Sequence, residues 1–320
     1  METIFIYYVV GWGPPEGKYQ VRMALGRVAL RLPAILLLGS ALVGCGPAGT
    51  AHPGATAVVA STDVWGSVAR AVAGGRLAVK SIITGAEVDP HSYQATPADA
   101  AAIADADLVV YNGGGYDPWV HIMLAGHREI PAIDAYSLLG ARNEAADEHV
   151  FYNLSVAKSV AATIADRLAI IDPGNSTYYR ANAAEFGRGA DAIANSERAI
   201  ATTYPAAGVV VTEPVVNYLL AASGLINRTP VTFTMANEND DDPSPADMAS
   251  VLDLIDHREV AALLINPQTS SAATKDLQAA AQRAGVPVAE VTETLPTGTD
   301  YLTWQRNTVN QLTAALRSSR

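Results

Sequence analysis

Two histidines and one glutamate stand where the chain leaves apolar, strand-like runs. His91 lies in GAEVDPHSYQATPADA after the run 77–83, and His149 lies in DEHVFYN after 131–133. Glu213 lies in VVVTEP, directly after 208–212. In open α/β sheets, ligands sit beyond the carboxyl ends of the strands, so residues in these places are the first candidates for a site. Two imidazoles and a carboxylate form a borderline donor set that suits zinc and also accepts manganese or iron. A single loop histidine carries little weight, since most are surface residues or satisfied hydrogen bonders. His52, His121, His127 and His257 have no partner motif around them. The only cysteine is Cys45, which excludes an intramolecular disulfide and a cysteine-rich metal cluster.

The elements that must position these groups alternate regularly. Strand-like runs occupy 57–60, 77–83, 107–111 and 131–133, then 208–212, 230–234, 260–265 and 286–291. Helical stretches occupy 63–73, 97–104, 153–169, 214–223, 245–256, 271–284 and 303–317. Continuous apolar strands between helices indicate parallel sheets covered on both faces. The expected fold is therefore α/β, with two parallel-sheet lobes joined by a long connecting helix and a metal site in the cleft between them. The expected boundaries are 57–173 for the first lobe, 174–203 for the helix and 204–320 for the second lobe. Gly187 and Gly189 weaken that helix by up to about 1 kcal/mol each relative to alanine. Gly113-Gly114-Gly115 lacks the Gly-Lys-Ser/Thr that a phosphate loop requires and reads as a tight turn.

The stretch DPHSYQATPADAAAIADADLVVYNGGGYDPW resembles the zinc/manganese-type solute-binding proteins of bacterial ABC importers. It carries an Asp-Pro-His loop, a Thr-Pro-x-Asp helix start, an Ala-Asp-Leu-Val strand and Tyr-Asn-Gly. The segment EHVFYNLSVAKSVAATIADRLAIIDPGNSTYYRANAAEF is similar to the same family's second-histidine segment and connecting helix. The resemblance implies that His91 and His149 are the first and second metal ligands and Glu213 the third. It also implies a fourth ligand, often an Asp after the third strand of the second lobe. Here that loop reads NPQTSSAATK, and no Asp, Glu or His occurs between Glu259 and Asp276. The remaining options are water, an amide oxygen of Asn266 or Gln268, or an acid of the loop NENDDDPSP, of which Glu238 is the first candidate. Two imidazoles and one carboxylate favour Zn2+, which is content with four ligands. Mn2+ prefers oxygen-rich, higher coordination and is the alternative, followed by iron.

The N-terminal region carries its own signals. Arg27 and Arg31, the apolar run Leu32–Val43 and the small residues before Cys45 have the build of a secretory signal over 1–44. Leu42-Val43-Gly44-Cys45 resembles the bacterial lipobox, which implies cleavage before Cys45 and lipidation of its sulfur. Residues 45–56 read as a flexible tether. Residues 1–22 fit no signal pattern and read as an upstream extension, with Met23 the better start.

Composition narrows the function further. Hydrophobic residues are 49% and charged residues 17%, which predicts a packed core. The net charge of −11 argues against nucleic acid, because phosphate binding needs clustered Lys and Arg. No HExxH, G-x-S-x-G or paired bridging acids indicate an enzyme. The expectation is an extracytoplasmic, membrane-anchored monomer that binds a divalent transition metal and delivers it to an ABC permease and its ATPase. The rival readings are a surface adhesin of the same fold and, less favoured, a metallohydrolase.

Overall fold

A computed structural model describes residues 57–85, 88, 90–140 and 147–319. The signal segment, the upstream extension, the tether and lipobox Cys45 lie outside the described residues.

The first half builds a four-stranded parallel sheet from β1 (Val58–Thr62), β2 (Val79–Ile83), β3 (Leu108–Tyr111) and β4 (Ala132–Asp134), in the order β2-β1-β3-β4. The second half repeats that order with β5 (Gly208–Val211), β6 (Ile226–Asn227), β7 (Ala262–Ile265) and β8 (Val288–Glu290), arranged β6-β5-β7-β8. All six pairings are parallel. The central strands β1, β5 and β7 are wholly buried or nearly so, as the unbroken apolar runs predict.

Among the described residues, ten α-helices surround the sheets. They are α1 (Asp63–Ala73), α2 (Pro97–Ala104), α3 (Pro118–Leu124), α4 (Leu154–Ile171), α5 (Ser176–Thr203), α6 (Asn217–Ala222), α7 (Val231–Glu238), α8 (Pro245–Asp256), α9 (Ala272–Ala284) and α10 (Tyr301–Ser318). The Thr-Pro-x-Asp motif is a full capping box. The Thr96 hydroxyl accepts from the Asp99 N–H, and the Asp99 carboxylate accepts from the Thr96 N–H.

The connecting helix α5 has 28 residues and is about 42 Å long at 1.5 Å per residue. It begins after a single 3-10 turn, Pro173–Asn175. Gly189 has a packing reason, because a Cβ there would lie 2.6 Å from Leu302 Cδ1 on α10. One continuous core of Trp65, Phe151, Tyr152, Tyr179, Phe186, Tyr301 and Trp304 runs from the first sheet across α4, α5 and α10 to the second.

Two expectations fail locally. The run 230–234, PVTFT, is not a strand but the start of α7, and the short β6 at Ile226–Asn227 takes the sheet edge. Pro230 opens the helix, and the buried residues Phe233, Thr234 and Asn237 recur at helical spacing while Val231 stays 74% exposed. Tertiary packing overrides the β-propensity of Val and Thr here. Helix α3 has no counterpart among the predicted helices.

The segment after β8 straps the halves together. The Thr292 carbonyl accepts from Tyr152 Oη at 2.9 Å, Thr294 Oγ1 donates to the Gly85 carbonyl at 3.1 Å, and the Leu295 N–H donates to Asp63 at 3.1 Å. Farther on, Tyr301 Oη donates to the Phe151 carbonyl at 2.7 Å. With α5 packed along both halves, these bonds oppose wide hinge opening. Small-angle scattering should therefore give the same radius of gyration for metal-free and metal-loaded protein, and a marked compaction on loading would contradict the strap.

Candidate metal site

His91, His149 and Glu293 are delivered by segments beyond the carboxyl ends of strands, and Glu238 by the end of helix α7. His91 follows β2, in a loop tied to α2 by Tyr93 Oη donating to Asp99 at 2.8 Å. His149 follows β4 and is anchored by the 3-10 turn Val150–Tyr152, whose three side chains are all buried. Asn112, which ends β3 in the Tyr-Asn-Gly motif, fixes the backbone beside it. Its amide accepts from Trp65 Nε1 at 3.2 Å and donates to the Glu148 carbonyl at 2.7 Å. Gly113, Gly114 and Gly115 all have positive φ, and the buried Asp117 carboxylate accepts the N–H groups of Asn112 and Gly113. That is the tight turn expected from the sequence.

The two histidines converge. Their rings meet edge to face with centroids 5.6 Å apart, and Tyr116 packs edge-on against both. Two carboxylate oxygens complete a compact set. Glu293 Oε2 lies 3.0 Å from His91 Nε2 and 3.7 Å from His149 Nε2. Glu238 Oε1 lies 3.5 Å and 3.3 Å from the same nitrogens. A tetrahedron with metal–ligand bonds of about 2.0–2.1 Å has edges of about 3.3–3.4 Å. The four measured separations bracket that length.

The fit has a second, independent sign. His149 Nε2 is buried and has no hydrogen-bond partner. Its other nitrogen, Nδ1, is 2.7 Å from Asp147, whose carboxylate also accepts from Asn217 at 2.7 Å, while Tyr218 Oη donates to the Asp147 carbonyl. A carboxylate behind Nδ1 fixes the ring and leaves Nε2 free to bind a metal. Glu148 plays the same part for His91, with Oε1 3.6 Å from Nδ1. The consecutive acids Asp147 and Glu148 thus brace one imidazole each.

The structure brings together His91, His149 and Glu238 but places Glu213 differently. Glu213 is buried, with Oε1 accepting from the Thr269 hydroxyl and Oε2 accepting from Asn266 Nδ2 at 2.8 Å. The compact group of donors among the described residues comprises His91, Glu148, His149 and Glu238, and omits both Glu213 and Glu293. Asn266 and Gln268, considered as amide-oxygen ligands, are committed elsewhere. Asn266 Oδ1 accepts the Gln268 N–H, and Gln268 Oε1 accepts the Glu293 N–H.

Glu293 escaped the sequence reading. The search for a fourth acid stopped at the loop after β7, whereas Glu293 follows β8 in VTETLP. The rule that ligands lie beyond strand ends, applied to that strand too, would have found it. Glu238, named from the sequence as the first candidate acid of its loop, ends α7 instead. Neighbouring Asn237 pins that helix end by donating to the Thr212 carbonyl at 3.0 Å.

The electrostatics follow from crowding charges out of water. Burial lowers the His91 pKa, but hydrogen bonding and charge from Glu293, with Glu238 and Glu148, outweigh it and raise it to about 9. Burial likewise lowers the His149 pKa, but Asp147, Glu293 and Glu238 outweigh it and raise it to about 9. Burial pushes Glu213 and Glu238 up to about 7, against the imidazoles in the case of Glu238. Glu293 is held below the usual range, because its imidazole partners outweigh its burial.

Residues 58–315 match the family model described as zinc-uptake complex component A, periplasmic. The chain belongs to this family. Members of the zinc-uptake component family are solute-binding components of ABC transporters, not enzymes. Among curated relatives, the manganese-binding lipoprotein MntA of Halalkalibacterium halodurans is 29% identical over 47% of this chain and 52% of its own length. The manganese ABC transporter substrate-binding lipoprotein PsaA of Streptococcus mitis is 23% identical over 72% of this chain and 77% of its own. The chain thus spans about half of the first relative and three quarters of the second. The periplasmic zinc-binding protein TroA of Treponema pallidum shares the fold, with a TM-score of 0.66 at 20% identity over 81% of this chain and 98% of that one. So does FpvC of Pseudomonas aeruginosa in complex with Mn2+, at 0.67 and 22% over 82% and 98%.

Stability without metal should depend on pH in a defined sense. A group whose folded pKa exceeds its unfolded value contributes stability in full below the unfolded pKa, and that contribution is lost as pH rises through the folded one. For Glu213 and Glu238 that interval runs from 4.5 to about 7, and for His91 and His149 from 6.5 to about 9. The melting temperature of metal-free protein is therefore expected to fall between pH 5 and 9, and a rising profile in thermal scans would contradict these assignments.

Proposed function

We propose that this protein binds a single zinc ion outside the cytoplasm and presents it to a cognate ABC permease and ATPase. The observation that carries the reading is the buried His149 Nε2, which has no hydrogen-bond partner and lies with His91 Nε2 against Glu238 Oε1 and Glu293 Oε2 at nitrogen–oxygen separations of 3.0–3.7 Å, around the edge length of a zinc tetrahedron. Two nitrogen and two oxygen donors at that spacing suit zinc, which takes four ligands in closed sites, better than manganese, which prefers octahedral oxygen. Relatives named for manganese keep Mn2+ as the competing cargo. Delivery rests on family membership, and anchoring rests on the lipobox-like Leu42-Val43-Gly44-Cys45.

Binding must displace protons, because metal takes only the neutral imidazole. With both histidines raised to about 9, zinc binding at pH 7.5 is expected to release one to two protons. Calorimetry in buffers of different ionisation enthalpy counts them, and a count of zero would show that the imidazoles are already neutral in the metal-free protein, contradicting the raised pKa values.

The substitutions His91→Ala, His149→Ala, Glu238→Gln and Glu293→Gln should each lower zinc affinity at least about tenfold, since losing even an outer partner costs 10–100-fold. Titration of chelator-stripped protein with one-to-one stoichiometry tests this, with circular dichroism confirming the fold. Unchanged affinity in any variant removes that residue from the ligand set.

A further inference from the structure

The side chains around the proposed ion form a ladder of exposure. Glu148 is 26% exposed, His91 21% and Glu238 9%, while His149 and Glu293 are each only 1% exposed. An ion arriving from solvent therefore meets Glu148 and His91 before it reaches the deeper donors.

Glu148 is within reach of an ion at that level. Its Oε1 is 3.6 Å from His91 Nδ1. One donor atom each from Glu148, His91, His149 and Glu238 lies within 4.8 Å of the other three. Glu148 thus completes a second set that shares His91, His149 and Glu238 with the set completed by Glu293. The surrounding backbone holds the carboxylate in place. The Glu148 carbonyl accepts from Asn112 Nδ2 at 2.7 Å. Gly115, with a φ of +106°, leaves room on the other side, since a Cβ there would lie 2.9 Å from Glu148 Oε2.

A divalent cation cannot shed its water into a dry cleft in one step, because a buried charge is costly until it is paired. A ligand that holds the ion only midway stabilises the transition state of entry. Release passes through the same state in reverse, so such a ligand speeds both directions by one factor and leaves the equilibrium unchanged.

We propose that Glu148 is a transit ligand: its carboxylate takes the ion at the mouth of the site together with His91, then yields to Glu293 as the ion settles between both imidazoles and Glu238. The proposal rests on the zinc-binding reading above.

The test measures zinc association by stopped flow, zinc release into excess chelator, and affinity by competition, for the wild type, Glu148→Gln and Glu148→Asp. Glutamine keeps the shape of the side chain and an oxygen that accepts from His91 Nδ1, but loses the charge. Glu148→Gln should slow association and release alike, each by at least about tenfold. Affinity should then change by less than about threefold. The slowing should persist in about 1 M potassium nitrate, where the Debye length is about 3 Å. Glu148→Asp restores the carboxylate and should recover most of both rates.

Weaker affinity through faster release alone would make Glu148 a brace or a resident ligand and overturns the proposal. Slowing of association alone that salt abolishes would reduce it to a long-range field, and overturns it too. So do unchanged rates in Glu148→Gln, or rates in Glu148→Asp as slow as those in the glutamine variant. The two levels fail separately. Wild-type protein that takes up no zinc at one-to-one stoichiometry sinks the functional reading, whereas tight zinc binding at rates indifferent to Glu148 sinks only the transit role.

Discussion

The constraint on which the structure turns is the confinement of two imidazoles against two carboxylates, at nitrogen–oxygen separations of 3.0–3.7 Å and largely out of water. Buried charges are tolerated only when compensated. Without metal, protons compensate: the histidines are raised to about 9 and become cations beside the acids. A bound zinc ion would supply the same positive charge at one point. Proton and metal thus compete for one arrangement of side chains, and the fold need not change to accommodate either.

That arrangement depends on parts well outside the four donors. Asp147 and Glu148 brace the rings, Asn112 braces the backbone of Glu148, and Trp65 braces Asn112. On the opposite side, Glu293 sits in a strap bonded to the first half of the molecule through Thr292, Thr294 and Leu295. Glu293 is therefore positioned by both halves, although its sequence belongs to the second. The long α5 and the shared aromatic core set the distance that the strap must span.

The sequence made the two-sheet α/β fold, the connecting helix and both histidines legible, because each rests on a local pattern. Continuous apolar strands, a capping box and a Pro-initiated helix need no distant partner to be recognised. What escaped depends on the tertiary environment. Val231–Glu238 is rich in strand formers, yet Phe233 and Asn237 are buried on one helical face. Glu238 could be named from its acidic loop, but its place at the end of that helix beside the histidines could not. Glu293 lay open to the strand-end rule but was passed over for a loop one strand earlier. The bonds that Glu213 makes to Thr269 and to Asn266, the latter 53 residues away, were invisible in one dimension.

A carrier of this kind must hold its ion firmly and still give it up without a wide hinge. The proton-filled empty state bears on that. With their pKa values raised by the neighbouring acids, both imidazoles are protonated at neutral pH, so metal must displace protons and apparent affinity falls as pH drops. The loss is not wasted energy in a transport cycle. It stabilises the vacant protein that remains after delivery, whose acids would otherwise repel one another in a dry cleft. Binding strength is thereby set by the difference between two charge-compensated states, not by the absolute strength of four metal bonds.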